Sequence, residues 1–146
     1  MSSILISGGT GLIGSEVAAH LTQLGYTIKV LTRRPTDIAQ NQYNWNLTKG
    51  EIDPKAWEGT EYVINLAGSS IIGGRWTNKR KKELISSRVD ATNLLVKTIQ
   101  QNNIPIQHFI QASAMGYYGD SGDQELTEDS PAGNDFMAKL CVDWEN

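Results

Sequence analysis

Apolar and polar residues alternate along this chain in blocks that read as strand, helix, strand. Ile4-Leu5-Ile6 is a short apolar run that stops at Gly8-Gly9-Thr10-Gly11, the pattern of a buried strand ending in a glycine turn. Leu12, Ile13, Val17, Leu21 and Leu24 then fall at helical spacing, and Gly25 stands where a C-terminal cap belongs. Thr27 to Leu31 reads as a second strand, ended by Arg33-Arg34-Pro35. The stretch 36–58 is polar and carries one short strand candidate, Tyr43-Asn44-Trp45. Tyr62 to Leu66 is a fourth strand closed by Ala67-Gly68, and residues 69–76 form a loop. One long helix is predicted over 77–102, with Leu84, Ile85, Val89, Leu95, Val96 and Ile99 on its buried face. Ile106 to Ile110 is a fifth strand and 116–131 a polar loop. Gly133 or Asn134 opens a last helix containing Phe136, Met137, Leu140, Cys141 and Trp144.

Strands alternating with helices predict an α/β fold: a doubly wound parallel sheet of Rossmann type, three layers deep. With 146 residues, the chain is read as one domain, 1–146. No repeat or low-complexity tract interrupts it. The sequence stops at Asn146 inside an apolar-periodic helix, so the expectation is the first part of a longer protein, ending before a substrate-binding part. Composition then removes several function classes. Apolar residues at 39% and charged residues at 20% fit a globular chain, not a disordered one. A net charge of -3 offers no general attraction for nucleic acid. One cysteine excludes a disulfide framework and points to a reducing compartment. No secretory signal is visible, and no apolar stretch approaches the roughly 20 residues that span a bilayer. The expectation is a cytoplasmic protein with no membrane partner.

The chemistry begins at Gly8-Gly9-Thr10-Gly11-Leu12-Ile13-Gly14, where Gly8, Gly11 and Gly14 recur at spacing three between a strand and a helix. Gly8 permits the tight turn, Gly11 lets backbone approach a pyrophosphate, and Gly14 lets the helix pack on the strand. The helix start then presents free N–H groups and a partial positive charge to phosphate. About 20 residues on, an acid would hydrogen-bond a ribose 2′-hydroxyl and favour NAD(H). Here that place holds Thr32-Arg33-Arg34. Two guanidinium groups suit a 2′-phosphate, so NADP(H) is expected in preference to NAD(H). Asp37, the only acid nearby, lies late for the role.

With the glycine loop in place, further segments align. The chain resembles the extended short-chain dehydrogenase/reductase superfamily, in the NAD(P)-dependent epimerase/dehydratase group. Within it the likeness is to the atypical, nucleoside-diphosphate-sugar epimerase-like branch, some members of which carry a cell-division-inhibitor label. The segments that carry it are the glycine loop, Asn65-Leu66-Ala67-Gly68, Arg75-Trp76, Ser87-Arg88-Val89, Ser113-Ala114-Met115-Gly116-Tyr117-Tyr118-Gly119 and Trp144-Glu145. The resemblance implies that Asn65, Leu66, Ala67 and Gly68 end a strand beside the adenosine and pyrophosphate. It implies that residues near Trp45, Asn46 and Leu47 approach the adenine. Ser113 matches the catalytic serine, and Lys139 the lysine that holds the nicotinamide ribose. The family's catalytic tyrosine, four positions before that lysine, is Asp135 here. An aspartate is ordinarily ionised at neutral pH and is a poor proton donor. Either Tyr117 or Tyr118 replaces that tyrosine, or the chemistry is altered, or there is none. Arg88 stands where the family often has asparagine; it fits either an anionic substrate or a salt bridge on the long helix. Pairing of long helices into a homodimer is also implied.

His20 and His108 lack companions at ligand spacing, so no metal is expected. Cys141 reads as a buried structural thiol. Lys79-Arg80-Lys81-Lys82 reads as solvated surface, and 120–129 as a polar loop near the substrate side. Two functions follow. One is an NADP(H)-dependent epimerase, dehydratase or reductase acting on a small polar substrate such as a nucleotide sugar. The other is a non-catalytic NADP(H)-sensing or regulatory protein, which needs the glycine loop but no proton relay.

Overall fold

The computed structural model describes residues 2–146. They fall into two compact units, one running to Gln111 and the other Ala112–Asn146. The first unit is built on a six-stranded sheet: β1 (Ser3–Ser7), β2 (Thr27–Thr32), β3 (Gln42–Asn46), β4 (Glu51–Ile52), β5 (Thr60–Asn65) and β6 (His108–Gln111). The strand order is β4-β3-β2-β1-β5-β6. Every pairing is parallel except β3 with the two-residue β4. From β1 the chain winds outward to β2 and β3, then returns to place β5 and β6 on the other side. That reversal makes the β1/β5 crevice the switch point where a doubly wound sheet binds ligands, at the carboxyl ends of its strands.

Strand alternation divides the core between two faces. Leu5, Leu31, Tyr43, Trp45 and Val63 share one buried cluster with Ala91 and Leu95, and with Ala56 and Trp57. Ala91 and Leu95 belong to α3 (Ala91–Gln101), which covers this face. Ile4 and Ile6 point the other way and are also buried, on the strands against which α1 (Leu12–Gln23) packs. This is the three-layer arrangement expected from the pattern.

The differences from the expectation have local causes. β4 pairs through only Glu51 and Ile52, too short to show a period. The helix predicted over 77–102 is α2 (Asn78–Ile85), a π-helical segment Ser86–Asp90, and α3. A π turn leaves the chain helical while rotating the side chains after it, so a 3.6-residue pattern does not reveal it. Ile85, expected on the buried face, is 37% exposed at the end of α2, next to the fully buried Leu84. β6 starts two residues later than expected, because Ile106 N–H turns back to the Ile104 carbonyl. Lys29, an ordinary polar position of a strand by sequence, is only 7% exposed. Its ammonium donates to the carbonyls of Lys55 and Ala56, both at 3.3 Å, and to that of Glu58. It thereby ties β2 to the 3-10 turn Pro54–Trp57. Burial pulls its pKa down, partly offset by the charge of Glu58.

The second unit holds a 3-10 turn, Met115–Tyr118, and α4 (Phe136–Glu145). Gly116 lies on α4, since a Cβ there would stand 3.5 Å from Met137 and 3.7 Å from the Cys141 sulfur. The 3-10 turn and the start of α4 are joined by the Gly133 N–H donating to the Tyr117 carbonyl at 2.9 Å. Cys141 is buried. Among the described residues, no helix is long and apolar enough to cross a membrane.

Candidate functional site

The glycine loop stands directly on β1. Gly8 has φ +72°, and a Cβ on it would sit 2.7 Å from the Leu66 carbonyl oxygen. No L side chain fits that conformation or that space. A Cβ on Gly14 would sit 2.2 Å from the Gly8 carbonyl oxygen, so the first turn of α1 rests on backbone. At Gly11 the nearest atom to a Cβ is the same oxygen, at 3.2 Å. Gly11 is also the N-cap of α1 and gives it no side-chain hydrogen bond. A helix start left uncapped keeps N–H donors and the positive end of its dipole for an outside anion. Thr10 and Gly11 are exposed, as are Leu12 and Ile13, at 87% and 67%. The loop is therefore an open seat with an apolar lip.

Across the switch point, β5 ends in a polar knot. Ser7 and Asn65 are register partners, and both side chains are fully buried. The Ser7 hydroxyl donates to Asn65 Oδ1, which also accepts from the Ala67 N–H at 3.3 Å. Asn65 Nδ2 donates to Thr92 Oγ1 and Gln111 Oε1, each at 2.8 Å. One amide thus joins β1, β5, β6 and α3. Asn65 holds the frame, and Leu66 to Gly68, which follow it, form the wall beside the glycine loop. Ala67 is buried and Gly68 exposed.

Arg88 lies in the π segment and reaches that wall. Its guanidinium donates to the Ser69 carbonyl at 3.0 Å and more weakly to the Leu84 carbonyl at 3.4 Å. A Cβ on Gly68 would be 3.0 Å from the Arg88 guanidinium carbon. The glycine makes room for the arginine, and the arginine holds the turn after β5. Neither geometry could be read from the sequence, where the π turn is invisible.

At the end of β2, Thr32 is buried and accepts from the Arg34 N–H at 3.2 Å. The Asn44 side chain holds the Arg34 carbonyl at 2.8 Å. These bonds fix the backbone while the side chains of Arg33 and Arg34 lie exposed. Among the described residues, no carboxylate pairs with either one. Of the residues expected near an adenine, Asn46 turns its Oδ1 to the Lys49 N–H at 3.0 Å, and Leu47 packs against the core cluster. Trp45 is a core residue.

In the second unit, Ser113, Tyr117 and Tyr118 line one open cleft of about 390 Å³, together with Ala114, Met115, Glu128 and Glu145. The Ser113 hydroxyl donates to Glu145 Oε1. The two tyrosine rings meet edge to face, centroids 5.2 Å apart. Lys139 is exposed on α4 and does not line this cleft. Asp135, in the place of the usual tyrosine, is the N-cap of α4; its Oδ1 accepts from the Ala138 N–H at 2.8 Å. Glu128 and Glu145 were not marked as site residues by sequence, since neither sits in a catalytic spacing pattern. Among the described residues, no group of three or more His, Cys, Asp or Glu is placed to hold a metal.

The profile of the NAD dependent epimerase/dehydratase family matches residues 4–145. Epimerase family protein YfhF of Bacillus subtilis is 36% identical over 146 residues, covering 98% of this chain and 48% of its own. The crystal structure of human epimerase family protein SDR39U1 (isoform 2) with NADPH superposes with a TM-score of 0.84 at 29% identity, covering 98% of this chain and 47% of that one. The nucleoside-diphosphate sugar epimerase of Corynebacterium glutamicum gives a TM-score of 0.79 at 28% identity, covering 99% of this chain and 29% of the other. The sequence spans about half the length of the curated relatives it matches.

Proposed function

This chain belongs to the NAD dependent epimerase/dehydratase family, and from that premise we propose that it binds NADP(H) for a protein acting on a small polar substrate such as a nucleotide sugar. The observation that carries the reading is the glycine seat. Cβ atoms at Gly8 and Gly14 would collide with backbone, and α1 starts without a side-chain cap. The amides from Gly8 to Gly14 would hold the pyrophosphate. Thr10, Leu12 and Ile13 would border it, Asn46 and Leu47 would lie toward the adenine, and Leu66, Ala67 and Gly68 would form the facing wall. Arg33 and Arg34 would hold the 2′-phosphate, supported by their exposure and lack of acidic partners. The human relative's NADPH supports the same choice. The bound nicotinamide supplies a hydride donor or acceptor. The chain itself contributes a hydroxyl at Ser113 and phenols at Tyr117 and Tyr118 to hold or pass a proton in the cleft.

The test is titration of the complete protein with NADPH and NADH. Replacing Arg33 and Arg34 together by alanine is expected to weaken NADPH about tenfold to a hundredfold, because charge-assisted bonds to phosphate are lost. NADH should change by less than about threefold, since it lacks that phosphate. Equal losses would remove the 2′-phosphate assignment. A second reading, an NADP(H)-sensing protein, draws on Asp135, whose carboxylate is occupied as a helix cap. Turnover abolished by Ser113→Ala or Tyr117→Phe supports the enzyme; tight binding without turnover supports the sensor.

A further inference from the structure

Arg34 is held by both of its backbone polar groups, and each partner is a side chain. Its N–H donates to Thr32 Oγ1 at 3.2 Å, and its carbonyl accepts from Asn44 Nδ2 at 2.8 Å. Pro35 follows, and a residue before proline is kept toward extended backbone. With both groups held and the backbone extended, tetrahedral geometry at Cα fixes the direction in which the Arg34 side chain leaves the turn. Asn44 is itself anchored. It is the register partner of Thr32 where β3 runs beside β2. Its N–H donates to Thr36 Oγ1 at 3.0 Å, and the Thr36 hydroxyl donates to Asp53 Oδ2. Its carbonyl accepts from the Asp53 N–H at 2.9 Å. Strand alternation sets Asn44 opposite the core residues Tyr43 and Trp45, so its amide serves the turn after β2 rather than the core.

We propose that Asn44 is a positioning residue that, together with Thr32, aims the Arg34 guanidinium and so sets the preference for a ribose 2′-phosphate over a 2′-hydroxyl. The proposal rests on the reading above that Arg33 and Arg34 receive the 2′-phosphate. A guanidinium that grips phosphate gives up side-chain freedom, and a fixed starting point lowers that cost. Without the Asn44 amide, the Arg34 carbonyl turns to water at little cost in stability, because the bond lies at the surface. What is lost is the aim. The 2′-hydroxyl of NADH carries no charge for the guanidinium to meet, so the loss falls on NADPH.

The test is titration of the complete protein with NADPH and NADH, with thermal melting of each variant. Asn44→Ala is expected to weaken NADPH about fivefold to tenfold and NADH less than about twofold, with melting close to wild type. In an Arg34→Ala background, Asn44→Ala should change NADPH affinity by less than about twofold, because the side chain it aims is gone. Thr32→Val keeps the shape, removes the acceptor for the Arg34 N–H and should lower the NADPH preference in the same direction. It decides the matter if Asn44→Ala does not fold. Equal losses for the two nucleotides overturn the proposal, as does a full further loss in the Arg34→Ala background. A preference that Asn44→Ala leaves unchanged, while Arg34→Ala lowers it, overturns the proposal and leaves the 2′-phosphate reading standing. If Arg34→Ala itself leaves the preference unchanged, or neither nucleotide binds, the assignment of Arg34 to the 2′-phosphate falls and the proposal with it.

Discussion

Asn65→Ala tests the claim that one buried amide holds the switch point together. Asn65 makes four hydrogen bonds: two accepted, from the Ser7 hydroxyl and the Ala67 N–H, and two donated, to Thr92 and Gln111. A typical intramolecular hydrogen bond contributes about 1 kcal/mol net, and a buried group left unpaired costs about 1–3 kcal/mol. Ser7 and Asn65 are fully buried, so water does not repair the Ser7 hydroxyl. Gln111 is only partly buried and recovers some bonding from solvent. The deleted amide also leaves a small void. The expected loss is about 3–5 kcal/mol, a large share of the roughly 5–15 kcal/mol that stabilises a typical domain. Urea unfolding at neutral pH, followed by tryptophan fluorescence, measures it directly, and the slope against urea should stay unchanged. Ser7→Ala removes one donor and should cost about 1 kcal/mol. In the double variant the two losses should add to less than their sum, because the Ser7–Asn65 bond is counted in both. A loss under about 1 kcal/mol for Asn65→Ala, or strict additivity, would refute the network.

Three further outcomes are expected. Gly14→Ala places a methyl 2.2 Å from a backbone carbonyl, so it should destabilise by about 3 kcal/mol or prevent folding; an unchanged melting temperature would contradict the close packing of α1 on the loop. Asp135→Ala should cost about 1 kcal/mol as a lost N-cap, and Asp135→Ser should restore most of it; denaturation that treats both variants alike would deny the capping role. Asp53 has its carboxyl pKa held down by the Thr36 hydroxyl and then by the Lys55 N–H. Its contribution is present above the unfolded-state value, about 4, and is lost as pH falls through the lower folded value. Asp53→Asn should therefore lower stability at neutral pH and flatten the acid limb of the stability curve; two superimposable curves would rule this out.

By itself the sequence determined the class of fold and the place of the glycine loop at the end of the first strand. Both depend on local rules: strand and helix periods, and glycines required by backbone geometry at Gly8 and Gly14. The paired arginines after β2 were legible for the same reason, since their place is set by the strand that precedes them. The tertiary structure alone decided what needs side chains from distant segments. Asn65 became a structural knot only when β1, β6 and α3 closed around it. Arg88 became the support of the Gly68–Ser69 turn only through a π turn, which leaves no trace in hydrophobic period. Asp135 stands where the family has its tyrosine, and only the fold shows that its carboxylate caps α4. Glu145 was one acid near the end of a helix until folding brought Ser113, 32 residues earlier, against it. Periodicity reports which face of an element is buried, but hydrogen-bond partners depend on where whole elements pack.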